Sequence, residues 1–323
     1  MLNTNKVCAL LGTRYPVIQG GMARVATGEF AAHVSNSGGL GTIGSGSMEP
    51  WMLREHIEHC QALTDKPFAV NLMMMNPYCA EMVDIIIEYK VPIVTTGAGS
   101  PAPYLEKLHA AGIKVIPVVA SATMAIRMER LGVDAIIAEG CEAGGHIGEL
   151  TTMVLTTEVA KAVSLPVLAA GGIATPEQVA AAFALGASGI QCGTVLLSAK
   201  ECPIHANFKK HILEAKSTDS MVIGRINGLA TRVLKNKMAR NFIKEEKSGK
   251  SLEEFELLTL GGLRKAVVDG DTQEGSLMAG QVVGLVQEER TLKEIMAYLF
   301  EDLDKIFKKA EGSWGHADTE SRE

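Results

Sequence analysis

The chain has 323 residues, of which 47% are hydrophobic and 21% are charged, so it can build a folded core and is not a disordered protein. Its formal net charge of -6 argues against general affinity for nucleic acid. The six cysteines have no C-x-x-C spacing, the N-terminus does not read as a signal peptide, and no window reaches the roughly 18 apolar residues that span a bilayer. We therefore expect a cytoplasmic protein with reduced thiols and no membrane segment.

A short apolar run, a loop containing Gly or Asn, and a helical stretch recur from the N-terminus onward. The apolar runs are residues 16–19, 40–43, 68–71, 93–96, 115–119, 135–138, 166–170 and 189–192. Helical segments are predicted at residues 104–111, 122–131, 156–163 and 176–185. Runs that are apolar on both faces and alternate with helices predict a parallel sheet covered by helices.

Two architectures fit such a sheet, and the spacing favours one. Eight units in about 190 residues match an α/β (β/α)₈ TIM barrel, at roughly 25 residues per unit. The rival is an open doubly wound sheet, which usually has fewer strands and a G-x-G-x-x-G after the first. Here the first run ends in Gln19-Gly20-Gly21-Met22, which is not that fingerprint. We therefore predict the barrel.

The pattern changes after the eighth run. Residues from about 204 to 250 are predicted to be helical and basic, and residues 291–309 to form a final amphipathic helix. We divide the chain into a barrel (1–203), a small helical excursion over the C-terminal face of the barrel (204–290), and a C-terminal helix on the barrel with a polar tail (291–323).

A glycine-rich loop with a lone histidine follows the sixth run. The segment runs from Glu139 to Gly148 and contains Gly144, Gly145 and His146. Glycines permit close backbone approach to a flat ligand, and an imidazole titrates near neutral pH. Because active sites of such barrels lie at the carboxyl ends of the strands, we predict that His146 lies at the catalytic face. The alternative is a tight turn with an exposed histidine.

The last two units end in glycines where this fold usually binds phosphate. They are Gly171 and Gly172 after the seventh run, and Gly193, followed by Thr194, after the eighth. Free backbone N–H groups and a nearby helix N-terminus favour an anion there, although glycines can also serve only as tight turns. Asn71 and Glu139, also at strand ends, could bond a polyol or a heterocycle, or act as turn and cap residues.

A set of motifs in order resembles FabK-type enoyl-acyl-carrier-protein reductase II, within the wider nitronate monooxygenase-like flavoprotein group. The motifs are YPVIQGGMA (15–23), SGGLG (37–41), KPFAVN (66–71), TTGAG (95–99), IAEG (137–140), EAGGHIG (142–148), AAGGI (169–173), QCGT (191–194) and SLMAGQ (276–281). The resemblance runs over nearly the whole chain. It is specific for the flavoprotein group and less decisive between its members.

The resemblance implies a non-covalently bound FMN. Its phosphate would lie on Gly171, Gly172, Gly193 and Thr194. The isoalloxazine ring and ribityl chain would be lined by Gly21, Met22 and Asn71, with contributions from Glu139, Gly144 and Gly145. Segment 276–281 would approach the flavin from the excursion. No metal is implied.

The implied reaction is reduction of trans-2-enoyl-acyl-carrier-protein with NADH or NADPH, the last step of fatty-acid elongation. His146 is the candidate proton donor or polariser of the thioester carbonyl, with a purely positional role as the alternative. Flavin barrels of this kind often pair, so a homodimer is expected. A basic stretch, Arg232, Lys235, Lys237, Arg240 and Lys244, is a candidate docking strip for the acidic carrier protein, or else a solvated helix face.

Three other functions stay open at this point. The first is nitronate monooxygenase, in which His146 would abstract a proton from a nitroalkane. The second is a non-catalytic barrel that binds a flavin or a thioester. The third is a phosphosugar isomerase, which would use the phosphate site but would not need the Gly-Gly-His loop beside it.

Overall fold

The apolar runs form parallel strands because their side chains are buried on both faces. A computed structural model describes residues 5–226, 228–248 and 261–313. The strands are β1 (Val17–Gln19), β2 (Gly41–Gly44), β3 (Phe68–Met73), β4 (Ile93–Gly97), β5 (Lys114–Val119), β6 (Ile136–Glu139), β7 (Gly145–His146), β8 (Val167–Ala170), β9 (Gly189–Cys192), β10 (Ser220–Ile223) and β11 (Thr231–Leu234). All eight predicted runs are strands.

Eight of these strands form one parallel sheet in the order β1-β9-β8-β6-β5-β4-β3-β2. A parallel bridge between Ile18 and Leu40, together with the hydrogen bond from Gln19 N to Leu40 O (2.9 Å), joins the two ends of the sheet. The (β/α)₈ barrel predicted from the sequence is thereby confirmed.

The helices are short and begin and end at local signals. They are α1 (Lys6–Leu11), α2 (Gly28–Asn36), α3 (Pro50–Leu63), α4 (Cys79–Glu88), α5 (Ala102–Ala110), α6 (Ala122–Leu131), α7 (Thr152–Ala162), α8 (Pro176–Ala184), α9 (Ala206–Glu214), α10 (Lys237–Glu246), α11 (Gly262–Val267), α12 (Leu292–Phe300) and α13 (Leu303–Ser313). Helix α6 starts after the N-cap Ser121 and stops at Gly132, whose φ of 89° suits glycine. Helix α8 begins with a capping box between Thr175 and Gln178.

The barrel interior is apolar in its lower half. Inward-facing residues of successive strands pack together there, and α1 covers this end with Val7 and Leu11. The interior residues are Ile18, Leu40, Ala69, Ile93, Ile116, Ile137 and Leu168. Burying one such Leu or Ile side chain stabilises a fold by roughly 1.5–3 kcal/mol. Four polar side chains, those of Asn71, Thr95, Glu139 and Gln191, lie above this apolar layer, toward the carboxyl ends of the strands.

The C-terminal segment supplies the last helix of the barrel wall. Helix α12 packs against both α8 and α2, and α13 packs against α8, so the chain returns to the barrel after the excursion. The predicted helix over 291–309 is two helices, α12 and α13, separated by a turn at Glu301 and Asp302. A capping box between Thr291 and Glu294 starts α12.

The prediction that residues 204–250 are helical is wrong in part. Helices α9 and α10 are present, but β10 and β11 form an antiparallel hairpin between them. Val222, Ile223 and Val233 are β-branched and pack well on a pleated surface. Strand β11 also pairs with β7, which carries His146. Within the described ranges no helix is long and apolar enough to cross a membrane, and none of the six cysteines is in a disulfide.

Candidate active site at the carboxyl ends of the barrel strands

Four polar side chains face the interior of the barrel near its C-terminal mouth. Asn71 Nδ2 donates to Thr95 Oγ1 at 3.0 Å, and these two residues are register partners on β3 and β4. Gln191 Nε2 donates to Glu139 Oε2 at 3.4 Å, across Ala170 of β8. Desolvation raises the pKa of Glu139 to about 7. The Glu139 carboxyl can therefore exist in either protonation state near neutral pH.

The loop after β1 lies directly over this layer. A Cβ atom built on Gly21 would be 2.2 Å from Cγ of Asn71, so only glycine fits there. Met22 follows, and its Sδ would be 3.4 Å from a Cβ built on Gly193. The structure therefore brings Gly21, Met22, Asn71 and Gly193, all predicted site residues, to one side of the mouth.

The glycines after β8 and β9 form a cradle with free donors. Gly171 and Gly172 have φ angles of 92° and 70°. In the described part of the chain, the backbone N–H groups of Gly172 and Gly193 have no hydrogen-bond acceptor. The Oγ1 of Thr194 accepts from Gly280 N at 2.9 Å, which leaves its hydroxyl proton to donate elsewhere. These donors, near the N-terminus of α8, fit the phosphate of a nucleotide cofactor such as FMN.

The Gly-Gly-His loop is folded over the mouth as a short strand. His146 pairs with Thr231 and Gly145 with Arg232, in antiparallel register between β7 and β11. The imidazole of His146 is exposed, yet the surrounding protein desolvates it enough to lower its pKa. His146 is therefore neutral at pH 7, and a neutral imidazole can both donate one N–H and accept one proton.

Two further contacts hold this loop. The Glu142 carboxylate accepts from Thr152 N at 2.9 Å and from Thr152 Oγ1 at 2.9 Å, at the start of α7. Gln281 N donates to Glu142 O at 2.9 Å. A Cβ on Gly144 would lie 2.7 Å from the carbonyl carbon of Ala279, so the loop and segment 276–281 are in close backbone contact.

Every predicted site residue lies in this region, and the contacts also show residues that were missed. Glu139 contacts Gln191, and Gly172 packs on Glu142. Neither Gln191 nor Thr95 was predicted as a site residue. Side chains two residues apart along a strand point to the same face of the sheet. The alternation within each strand therefore places both residues on the inward face and could have identified them from the sequence. No group of three or more His, Cys, Asp or Glu residues able to hold a metal occurs in the described ranges.

One prediction about the basic stretch is wrong. Arg232 does not lie on an exposed helix face but in β11, where it is only 5% exposed. Its Nε and Nη2 donate to Cys141 O at 2.9 and 2.7 Å, and its Nη1 donates to Ser220 Oγ at 2.8 Å. The error arose because spacing of charges does not reveal whether a segment is a strand.

Comparison with known proteins places this barrel in a family. Residues 4–82 and 78–302 match the family model described as nitronate monooxygenase. A probable nitronate monooxygenase of Staphylococcus saprophyticus is 33% identical, with 88% of this chain and 93% of that protein covered. The (3aS,4S,5R,7aS)-5-hydroxy-7a-methyl-1-oxo-octahydro-1H-indene-4-carboxyl-CoA dehydrogenase of Rhodococcus jostii is 31% identical, with 92% and 94% covered.

The solved structure of FabK from Thermotoga maritima is 44% identical to this chain, with a TM-score of 0.93 and with 96% and 99% of the two chains covered. The family match and the likeness to FabK thus support an oxidoreductase of the flavoprotein type. The chain belongs to the nitronate monooxygenase family.

Proposed function

We propose that this protein is an FMN-dependent enoyl-acyl-carrier-protein reductase that uses NADH or NADPH. The supporting observation is the 44% identity to FabK over 96% of the chain, against 33% to the relative named as a probable nitronate monooxygenase. In the net reaction NAD(P)H is oxidised to NAD(P)⁺, and the Cα=Cβ bond of the enoyl thioester gains one hydrogen at each carbon, one of them as a proton. The name of the Rhodococcus relative specifies a CoA thioester, which supports a thioester substrate.

The residues at the mouth of the barrel fit FMN. The chemistry that bound FMN supplies is two-electron transfer between the nicotinamide and the enoyl double bond. We propose that Gly172 and Gly193 donate their unpaired N–H groups to the phosphate, with Gly171 and Thr194 completing the cradle. The remaining residues that would contact the cofactor are Gly21, Met22, Asn71, Glu139, Gly144 and Gly145.

We propose that the His146 side chain contacts the substrate. Since its pKa is lowered by desolvation, the imidazole is neutral at pH 7 and can donate its N–H to the thioester carbonyl oxygen. That hydrogen bond would stabilise negative charge that develops on the oxygen and on the α-carbon as the β-carbon is reduced. Delivery of a proton to the α-carbon would require the imidazolium form, which the lowered pKa of His146 disfavours, so the alternative to this hydrogen bond is a purely positional role.

Anaerobic mixing separates the two family reactions. We expect the purified protein to oxidise NADH or NADPH without oxygen when crotonyl-CoA is supplied, and to produce one saturated thioester per nucleotide. In the nitronate monooxygenase reaction, favoured by the family model and the Staphylococcus relative, a nitroalkane and oxygen would be consumed instead. A flavin absorbance that neither nucleotide bleaches, together with oxygen uptake on nitroethane, would contradict the reductase assignment.

We further propose that the acyl carrier protein docks on an exposed basic strip, defined as Lys235, Arg240 and Lys244. All three side chains are exposed, and Arg240 and Lys244 are four residues apart on one face of α10. Arg232 is buried, and Lys237 is paired with Glu274 at 2.6 Å, so neither belongs to the strip. Complementary charge mainly raises the rate at which such partners meet.

Charge reversal of the basic strip tests the docking proposal. We expect K235E/R240E/K244E to raise KM for carrier-protein substrates about tenfold, equivalent to about 1.4 kcal/mol, and to leave KM for the CoA thioester of the same chain unchanged. The difference should shrink at high salt, which screens exposed charges. The matched control reverses three exposed lysines of α12 and α13, Lys293, Lys308 and Lys309. Equal effects on carrier-bound and CoA substrates would exclude the strip as the docking site.

A further inference from the structure

Arg232 joins the excursion to the loop that carries His146. It is 5% exposed and lies on β11, which forms one side of the 220–234 hairpin. Its guanidinium reaches across to the carbonyl of Cys141, 91 residues away in sequence. Cys141 stands at the start of the segment that becomes β7.

The side chain of Arg232 holds the start of the loop, and the backbone of its strand holds the end. At one end, Nε and Nη2 both donate to Cys141 O, at 2.9 and 2.7 Å. At the other end, the backbone of β11 pairs with Gly145 and His146, and Ile147 N donates to Ala230 O at 3.0 Å. The third donor, Nη1, binds Ser220 Oγ at 2.8 Å and ties the same guanidinium to β10. One side chain therefore sets the distance between the hairpin and the start of the His146 loop.

The position is costly for a charge. Desolvation lowers the pKa of Arg232, which means that burial disfavours the charged form. In the described ranges no carboxylate lies within salt-bridge distance of the guanidinium, although the more distant Glu142 carboxylate favours the charged form, so the hydrogen-bond partners are a carbonyl and a hydroxyl. An apolar side chain would fill this space without the desolvation cost. An apolar side chain could not, however, make the hydrogen bonds to Cys141 and Ser220.

We propose that Arg232 is a positioning residue that holds residues 141–147 so that His146 faces the mouth of the barrel. The proposal rests on the proposed function only in taking His146 as the group that meets the substrate. Because Arg232 binds both Cys141 and Ser220, the position of the 220–234 hairpin and the position of the His146 loop depend on each other. Loss of the guanidinium would let the loop move outward and would misplace the imidazole.

The test uses Arg232→Met, which keeps most of the unbranched stem and removes all the donors, and Arg232→Lys, which keeps one charged donor. The control is Arg264→Met, an exposed arginine on α11 of the same excursion. In Arg232→Met, assayed at saturating FMN because Gly144 and Gly145 of the same loop are among the proposed cofactor contacts, we expect bleaching of the flavin by NADH to fall far less than reoxidation by crotonyl-CoA. Reoxidation should fall about 100-fold, as misplacement of a reacting group by about 1 Å can cause. The rate of reoxidation in Arg232→Lys should lie between those of wild type and Arg232→Met.

Two readouts separate positioning from a general structural effect. First, NMR of histidine-labelled protein, assigned with His146→Ala, should show the His146 pKa rising toward that of a solvated imidazole in Arg232→Met and unchanged in Arg264→Met. Second, adding Arg232→Met to His146→Ala should lower the rate of reoxidation by less than about threefold. The reason is that both residues would act through the His146 imidazole, which is already absent. If Arg232→Met does not fold, Arg232→Lys carries both measurements.

The proposal is overturned by a His146 pKa that stays at its wild-type value in both variants, or by effects of Arg232 and His146 that multiply independently. A failure of the reductase assignment looks different. In that case wild type itself would not turn over the enoyl thioester, while the NMR readout would still report whether Arg232 holds His146.

Discussion

His146→Ala is expected to slow reoxidation by the enoyl thioester about 10²–10⁴-fold, the usual contribution of a positioned acid or hydrogen-bond donor. The bleaching of the flavin absorbance by NADH should be nearly unchanged. The reason is that the imidazole would act only when charge develops on the thioester, which is absent from the reaction with NADH. Stopped-flow measurement of the two half-reactions gives both rates, and FMN content should stay stoichiometric.

The pH profile adds a second expectation for His146. Because desolvation lowers its pKa, the imidazole is neutral above that value and becomes protonated only as the pH falls well below neutrality. A neutral N–H donor therefore predicts that the part of the pH dependence that arises from His146 lies in the acidic range, apart from any change near pH 7 that arises from Glu139. In His146→Ala this acidic limb should disappear.

The control for His146→Ala is His59→Ala, since His59 is exposed on α3, on the outer wall of the barrel. It should leave both half-reactions unaffected. If flavin bleaching in His146→Ala falls as much as turnover does, then His146 orients the nicotinamide or the flavin and does not act on the thioester.

Gly193→Val is expected to abolish stoichiometric FMN binding while the barrel stays folded. Gly193 has a φ of -123°, outside the left-handed region that favours glycine, and its Cβ would make an ordinary 3.4 Å contact with Met22 Sδ. The branched side chain would nevertheless crowd the space between Met22 and the free N–H of Gly193, where the cofactor is proposed to lie. We expect the affinity for FMN to fall at least about 100-fold, or roughly 2.7 kcal/mol, measured by titration of the apoprotein.

Gly172 gives an independent check with a matched control. Its φ of 70° strains any other residue, so Gly172→Ala is compared with Gly112→Ala, which has a φ of 75° and open space around the added Cβ. The backbone strain is similar, but only Gly172 belongs to the cradle, and there the added Cβ would also lie 3.2 Å from Cβ of Glu142. Thermal melts should be compared with FMN-free wild type, because bound ligand itself stabilises the folded state. Full FMN occupancy in both Gly193→Val and Gly172→Ala would show that these glycines do not bind the phosphate.

Local signals in the sequence determined the barrel. Apolar runs with glycines or polar residues at their carboxyl ends predicted all eight barrel strands, because burial on both faces leaves a compositional trace in the strand itself. Caps determined helix bounds in the same way: Ser121 and Gly132 bracket α6, which matches its predicted range of 122–131. The order of the units then placed His146 and the glycine cradle at one end of the barrel.

Tertiary structure decided what depends on pairing between distant segments. Strand β11 is a strand partly because it pairs with β7, whose residues lie more than 80 positions earlier, and no local signal reports that partner. The spacing of charges therefore predicts an exposed Arg232, whereas Nε and Nη2 of this residue donate to the carbonyl of Cys141. The Gln191–Glu139 contact likewise spans 52 residues. Composition and periodicity report the burial of a segment, whereas a hydrogen bond between segments exists only once the chain has brought them together.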